Sequence, residues 1–243
     1  MAYIITRRHM LAVSAAAGGV AIGGIGAHAQ GAPRIERLAP ELDKIIDISQ
    51  PINQLADGVG GPNGPAEGPV WWKEGGYLLF SDINGNRRMK YTPGQGTVEF
   101  KKPTNGANGL TRDMQGRLVA CEGLGRRVVR EETDGSTTVI AGSFQGTRQT
   151  DHVFADLDGS EPGVPDGMKV DTTGNVYCGG AGGLWILDPN GKKLGRIIHG
   201  RPQTTNIAFG GPDWKTLYFT NANFLGSVNL KIAGVPVPSP KRS

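Results

Sequence analysis

Four times along the chain a polar residue opens a unit of one plan: a glycine or small residue, an alternating apolar run, a turn glycine and a second apolar run. The units read EGPVWWKEGGYLLFSD from Glu67, NGLTRDMQGRLVACEG from Asn108, DGMKVDTTGNVYCGG from Asp166 and NIAFGGPDWKTLYFTN from Asn206. In the first three, the turn glycine (Gly75, Gly116 or Gly174) stands eight positions after the leading polar residue. A strand-turn-strand unit of this kind cannot bury its apolar faces alone and stacks on copies of itself, which predicts an all-β chain, a β-propeller of four-stranded antiparallel blades. Because blades radiate from an axis, such a repeat can aim all four leading side chains at one point.

Spacing sets the number of blades. Glu67 to Asn108 is 41 residues and Asp166 to Asn206 is 40, but Asn108 to Asp166 is 58. The surplus of 18 residues falls short of the roughly 40 that another blade needs. About four blades are expected, as a closed ring or an open arc. The first repeat continues through an Asn84-Gly85-Asn86 turn to residues 88–91 and through Pro93-Gly94 to residues 97–100. The second runs through 127–130 and 137–140, and the third through 184–187 and 193–198, with turn residues at each joint. Asp113 and Asp171, each three residues before a turn glycine, read as turn caps. Gly 39 and Pro 16 beside only 37% apolar residues suit short strands and tight turns.

A single domain over residues 44–235 follows, with 30–43 as a linker and 236–243 as a frayed tail. Ile45-Ile46-Asp47-Ile48 reads as an early strand that joins the blade built by the carboxyl terminus. Residues 1–29 carry an Arg7-Arg8 pair, an Ala/Gly-rich apolar stretch and Ala27-His28-Ala29, a small-x-small cleavage site. They read as a twin-arginine export signal leading to the periplasm, with an uncleaved anchor as the alternative and no other membrane contact expected. Without Arg7 and Arg8 the formal charge falls from +4 to +2, and no basic stripe suggests a nucleic-acid partner. Cys121 and Cys178 occupy equivalent points of two repeats, too far apart for a disulfide in separate blades, and read as two buried free thiols. Trp71, Trp72, Trp185 and Trp214 read as packing between blades.

EGPVW at 67–71, NGLTRDMQGRL at 108–118, PDGMKVDTTGNVY at 165–177 and TNIAFGG at 205–211 together resemble the bacterial gluconolactonases of the senescence-marker-protein and regucalcin family. The resemblance covers the chain from about residue 40 onward. It implies a six-bladed propeller, a divalent cation on its axis and hydrolysis of a sugar lactone. In the family the cation is held by the glutamate of EGPVW, the asparagine of a Pro-Asn-Gly-Leu motif and the aspartate of PDGM, with a Pro-Asn-Asp asparagine at the substrate. Glu67 and Asp166 match the first and last of the ligands. The two asparagines have no counterpart: the residues after Gln145-Gly146 lead almost directly into His152-Val153-Phe154, as though about two blades were missing.

Two carboxylates with neutral oxygens make a hard site suited to Ca²⁺ first, with Mg²⁺, Mn²⁺ or Zn²⁺ as alternatives. Two ionised carboxylates about 4 Å apart at an effective dielectric of 20 repel by about 4 kcal/mol, so bringing them together requires a cation or a shared proton. Glu67 is expected to bind the metal, and Asp166 to bind it and act as general base toward water, two duties that compete. Asn108 and Asn206 are assigned to substrate hydroxyls, with plain turn formers as the alternative. His152 and His199 are too few for a three-histidine zinc site, and no Gly-x-Ser-x-Gly elbow is present. The glycines of Gly179-Gly180-Ala181-Gly182-Gly183 lack a following Lys-Ser/Thr and read as a hairpin turn. A propeller that binds a small sugar or a protein without catalysis stands as the second reading of the fold.

Overall fold

The computed structural model describes residues 32–61, 64–141, 154–201 and 203–238. Blade 1 is built from β3 (Ala66–Trp72), β4 (Tyr77–Asp82), β5 (Arg87–Thr92) and β6 (Gly96–Lys101), and blade 2 from β7 (Ala107–Arg112), β8 (Leu118–Glu122), β9 (Arg127–Glu131) and β10 (Thr137–Ala141). Blade 3 contains β11 (Met168–Val170), β12 (Val176–Gly180), β13 (Gly183–Leu187) and β14 (Lys193–Ile198), with β1 (Arg34–Arg37) on its outer edge. Blade 4 contains β15 (Asn206–Gly210), β16 (Thr216–Thr220) and β17 (Phe224–Asn229), with β2 (Asn53–Asp57) as its fourth strand. All pairings are antiparallel between neighbours. The four-bladed all-β architecture read from the repeat is the one observed.

Turn chemistry fixes the hairpins. The Asp113 carboxylate accepts from the backbone N–H groups of Gln115 and Arg117 at 3.0 and 2.9 Å, and Asp171 accepts from Thr173 and Asn175 at 2.8 and 3.0 Å. Gly116 and Gly174 then take φ of 83° and 90°, which a side chain would resist. In the first repeat the left-handed residue is Gly76 rather than Gly75. The hairpin expected over residues 179–183 is the β12–β13 turn.

The inner strand β11 packs on β15, β15 on β3 and β3 on β7, which gives the spatial order of blades 3, 4, 1, 2. Trp71 stacks on Tyr218 across the joint of blades 1 and 4, ring centroids 5.5 Å apart. Among the described residues no comparable packing joins blade 2 to blade 3, so the four blades form an arc. The expected discontinuity around residues 142–153, His152 within it, lies outside the described residues, as do the export signal and residues 239–243.

Several expectations are corrected. Residues 34–37 belong to no linker: they form β1, paired with β14 in register Arg34↔Ile198 to Arg37↔Gly195. The early strand that completes the last blade is Asn53–Asp57, whereas residues 45–48 follow a 3₁₀ turn, and the fully buried Ile46 bridges Leu230. Their apolar run serves the core rather than a sheet ladder. Cys178 is buried and Cys121 is exposed, both as free thiols. The expected equivalence of the two does not hold: Cys178 lies opposite Met168 and Ala120 opposite Leu110, so Cys121 is one residue out of step with Cys178 and points to the sheet face away from the cluster that joins blades 1 and 2. Trp185 packs under Leu157, a residue of the stretch preceding β11, with Cys178 and Leu187 beside it.

Candidate functional site

Each leading polar residue stands at the start of its blade's inner strand, so the arc carries Asp166, Asn206, Glu67 and Asn108 in that spatial order. The glycines that follow Glu67 and Asp166 explain how these residues come close. A Cβ on Gly68 would lie 2.2 Å from the Asn108 carbonyl oxygen, and one on Gly167 would lie 2.3 Å from the Asn206 side chain. Glycine after an axial acid therefore admits the leading residue of the adjoining blade. Gly109, at the same place in blade 2, faces no atom within 4 Å, as expected at the free end of an arc.

Glu67 is buried, and its Oε2 accepts from the Gly68 N–H at 3.1 Å and from Asn206 Nδ2 at 3.1 Å. Asn206 turns its own Oδ1 to the Ile207 N–H at 2.9 Å. Asp166 Oδ2 accepts from Gln203 Nε2 at 3.2 Å. Thr205 Oγ donates to the Ala66 carbonyl at 2.7 Å and ties the start of blade 4 to the strand bearing Glu67. Asn206 thus bridges blades 4 and 1 through Glu67, whereas the exposed Asn108 contributes its backbone carbonyl, which accepts from Ser81 Oγ at 2.7 Å. Gln203 was not singled out by the repeat because it lies on the loop ahead of the unit it serves.

Burial, then the charge of Asp166, pushes the Glu67 carboxyl up to about 7. Burial also raises Asp166, against the opposing pull of its hydrogen bonds from Gly167 and Gln203. No Lys or Arg lies within ion-pair distance of either carboxylate among the described residues. The charge of Lys169 eases the ionisation of Glu67 only in part, and two partly desolvated carboxylates without an ion-paired base have the donor chemistry of a hard cation site. Among the described residues no three His, Cys, Asp or Glu side chains are grouped so as to hold a metal ion by themselves. A cation here would therefore draw its remaining ligands from amide oxygens and water. Cavities of about 230 and 260 Å³ lie between outer parts of the blades, and neither is lined by Glu67 or Asp166.

An arc of four-stranded antiparallel blades with polar side chains converging at the inner strands defines a propeller-type protein. The sequence profile of the SMP-30/Gluconolactonase/LRE-like region matches residues 65–151 and 143–223, and the chain belongs to that family. It is 27% identical over 210 residues to a gluconolactonase of Zymomonas mobilis, covering 78% of this chain and 57% of the relative. To a pentonolactonase of Haloferax volcanii it is 31% identical over 128 residues, covering 52% of this chain and 40% of the relative. The chain thus spans between two fifths and three fifths of the length of these two relatives. Its fold is similar to that of a gluconolactonase of Xanthomonas campestris, with a TM-score of 0.67 and 18% identity over 82% of this chain and 94% of that one. It is also similar in fold to a calcium-binding regucalcin of Agrobacterium tumefaciens, with a TM-score of 0.58 and 13% identity over 79% and 98%.

Proposed function

We propose that the chain hydrolyses a sugar lactone with the help of a divalent cation, Ca²⁺ first, held by Glu67 and Asp166. The observation that carries the reading is the pair of repelling carboxylates on either side of Asn206, Glu67 buried and Asp166 half-buried, with no basic group in ion-pair contact among the described residues. The lactonase names of the relatives support the substrate class. A bound cation supplies a Lewis acid that polarises the lactone carbonyl and acidifies water. Asp166, whose Gln203 contact occupies Oδ2, has its other oxygen to receive the water proton. Asn206 fixes Glu67 and lies where a sugar hydroxyl would meet its amide; Asn108, at the open end, offers an exposed amide to the far side of the sugar.

Calorimetry and proton-release assays on gluconolactone test this together. Ca²⁺ binds the wild-type chain and its affinity falls at least tenfold in Glu67→Gln and in Asp166→Asn, with turnover above the spontaneous rate lost in both. Unchanged affinity in both variants rejects the site. The missing family asparagines and the open arc favour a second reading, a sugar-binding propeller without catalysis. Cation and sugar binding without turnover selects it.

A further inference from the structure

Resting on the lactone-hydrolase reading, we propose that Lys169 is a further catalytic residue, its ammonium donating to the carbonyl oxygen of the bound lactone and holding the charge that forms there when water adds. The strand alternation places it. Met168 and Val170 point to the open end of the arc and are 58% and 41% exposed. Lys169 lies on the other face, in register with Tyr177 and through it with Ile186, both fully buried against blade 4. Gly167 shares that face and touches the Asn206 side chain, which in turn donates to Glu67. Two residues along a strand span about 7 Å, so Lys169 rises from one pleat beyond Gly167 on a four-carbon stem, on the sheet face that meets Asn206 and within the field of Glu67.

The ammonium has donors to spare. Its Nζ donates to the Met168 carbonyl at 3.2 Å, and no carboxylate lies within ion-pair distance of it among the described residues. An ammonium has three N–H donors, so the Met168 bond leaves capacity for a ligand oxygen. Burial disfavours its charge while Glu67 favours it, and reciprocally its charge eases the ionisation of Glu67. A half-buried cation of this kind, within the field of Glu67 and bonded to one carbonyl, is built to meet an oxygen that gains negative charge. It lies in the unit that begins at Asp166, where the repeat directed attention to the leading aspartate.

The reaction balances without a further reagent. Water oxygen bonds to the lactone carbonyl carbon, one water proton passes to the Asp166 carboxylate, and the carbonyl π pair moves to the oxygen held by Lys169. That pair then re-forms the C=O bond as the ring C–O bond breaks, and the departing ring oxygen takes the proton back from Asp166. The product is the open-chain hydroxy acid, which ionises in water.

The test uses the whole chain with saturating Ca²⁺, comparing wild type, Lys169→Met and Lys169→Arg. The readouts are kcat and KM for gluconolactone, calorimetric binding of the non-hydrolysable gluconolactam, and thermal unfolding. Loss of one oxyanion donor lowers kcat by about 10²-fold. Lys169→Met is expected to show that loss with KM within about threefold and lactam affinity reduced about tenfold, and Lys169→Arg is expected to recover most of the kcat. Wild-type kcat and lactam affinity in Lys169→Met overturn the proposal, as does a kcat loss that follows reduced thermal stability and that arginine fails to rescue. If the wild type turns over no lactone, the lactone-hydrolase reading fails and the lactam arm alone decides Lys169. Lysine-dependent lactam binding then sustains it as the carbonyl-oxygen donor, and equal or absent lactam binding overturns it.

Discussion

Glu67 sits under two opposed demands, because the burial and the neighbouring charge that suit it to a cation work against the folded chain when no cation is present. Its carboxyl has an ordinary value of 4.5 and is pushed up to about 7 in the fold. Below pH 4.5 both folded and unfolded chains hold the proton, and no penalty arises. Between 4.5 and 7 the unfolded chain releases a proton that the folded chain keeps, so stability falls as pH rises, by a total of about 3 kcal/mol above pH 7. Glutamine cannot ionise and still accepts from Gly68 and Asn206. In the cation-free protein, Glu67→Gln should match wild type in urea unfolding at pH 4 and exceed it at pH 8 by up to about 3 kcal/mol, and a difference constant across pH would remove the linkage. At this scale the sequence disclosed the acids through the glycine after each one, which both opens a unit and admits the adjoining blade. It disclosed less about the amides: Asn108 and Asn206 begin equivalent units, but only Asn206 lies between two acid-bearing blades, and only its side chain bonds an acid. Gln203 reaches Asp166 from a loop with no period of its own.

Strands at the two sheet edges show what the chain before residue 58 contributes. β2 pairs with β17 in register Phe224↔Asp57 to Ser227↔Asn53, and Gln50 exchanges hydrogen bonds with the Asn229 backbone at 2.6 and 2.9 Å. β1 covers β14 in the same way, and between the two strands Leu42, Ile45 and Ile46 lie fully or almost fully buried in the core shared by blades 1, 3 and 4. Removing this segment would uncover two strand edges and strip three large aliphatic side chains from the core, each worth about 2–5 kcal/mol when truncated. A chain beginning at Ala32 is therefore expected to unfold cooperatively and remain monodisperse, and one beginning at Gly58 to lose the transition in circular dichroism and associate in size-exclusion chromatography. A cooperative transition in the shorter chain would show that these edges are dispensable. The sequence placed an early strand in the last blade correctly in kind but on Ile45-Ile46-Asp47-Ile48. A short apolar run reads alike in a strand and in a buried turn, and here Asp47 caps the turn by accepting from the Ser49 N–H at 2.9 Å. The polar β2, with an exposed residue at each end, gave little apolar alternation to find.

Across the molecule, stability is unevenly spread because an arc has two ends. One continuous core ties blades 3, 4 and 1 together through residues such as Tyr177, Ile186, Phe209, Phe219, Trp71 and Phe80. Blade 2 is joined to blade 1 by a separate, smaller cluster of Val70, Leu79, Ala107, Leu110, Leu118, Ala120 and Val129, and every residue of its outermost strand β10 is exposed. Ion pairs supplement that joint: the buried Arg88 meets Glu131 at 3.1 Å, where the cost of desolvation offsets much of the attraction, and the exposed Lys101 meets it at 2.7 Å and adds little. Blade 3, at the other end, is held from both sides: blade 4 covers one face, and on the other Leu157 packs over Cys178 and Trp185 while Arg196 pairs with Glu36 and Glu161. Cooperative units open in order of the apolar area that holds them. Native-state hydrogen exchange should therefore show the amides of β8 and β9 exchanging through an opening of lower free energy than those of β4, β13 and β16, with Cys121 modified by maleimide in the folded chain and Cys178 protected until global unfolding. Equal protection across all four blades would mean that the small cluster between blades 1 and 2 couples as strongly as the shared core. Because Glu67 and Asp166 belong to blades within that core, loosening of blade 2 would move Asn108 and leave the two carboxylates in place.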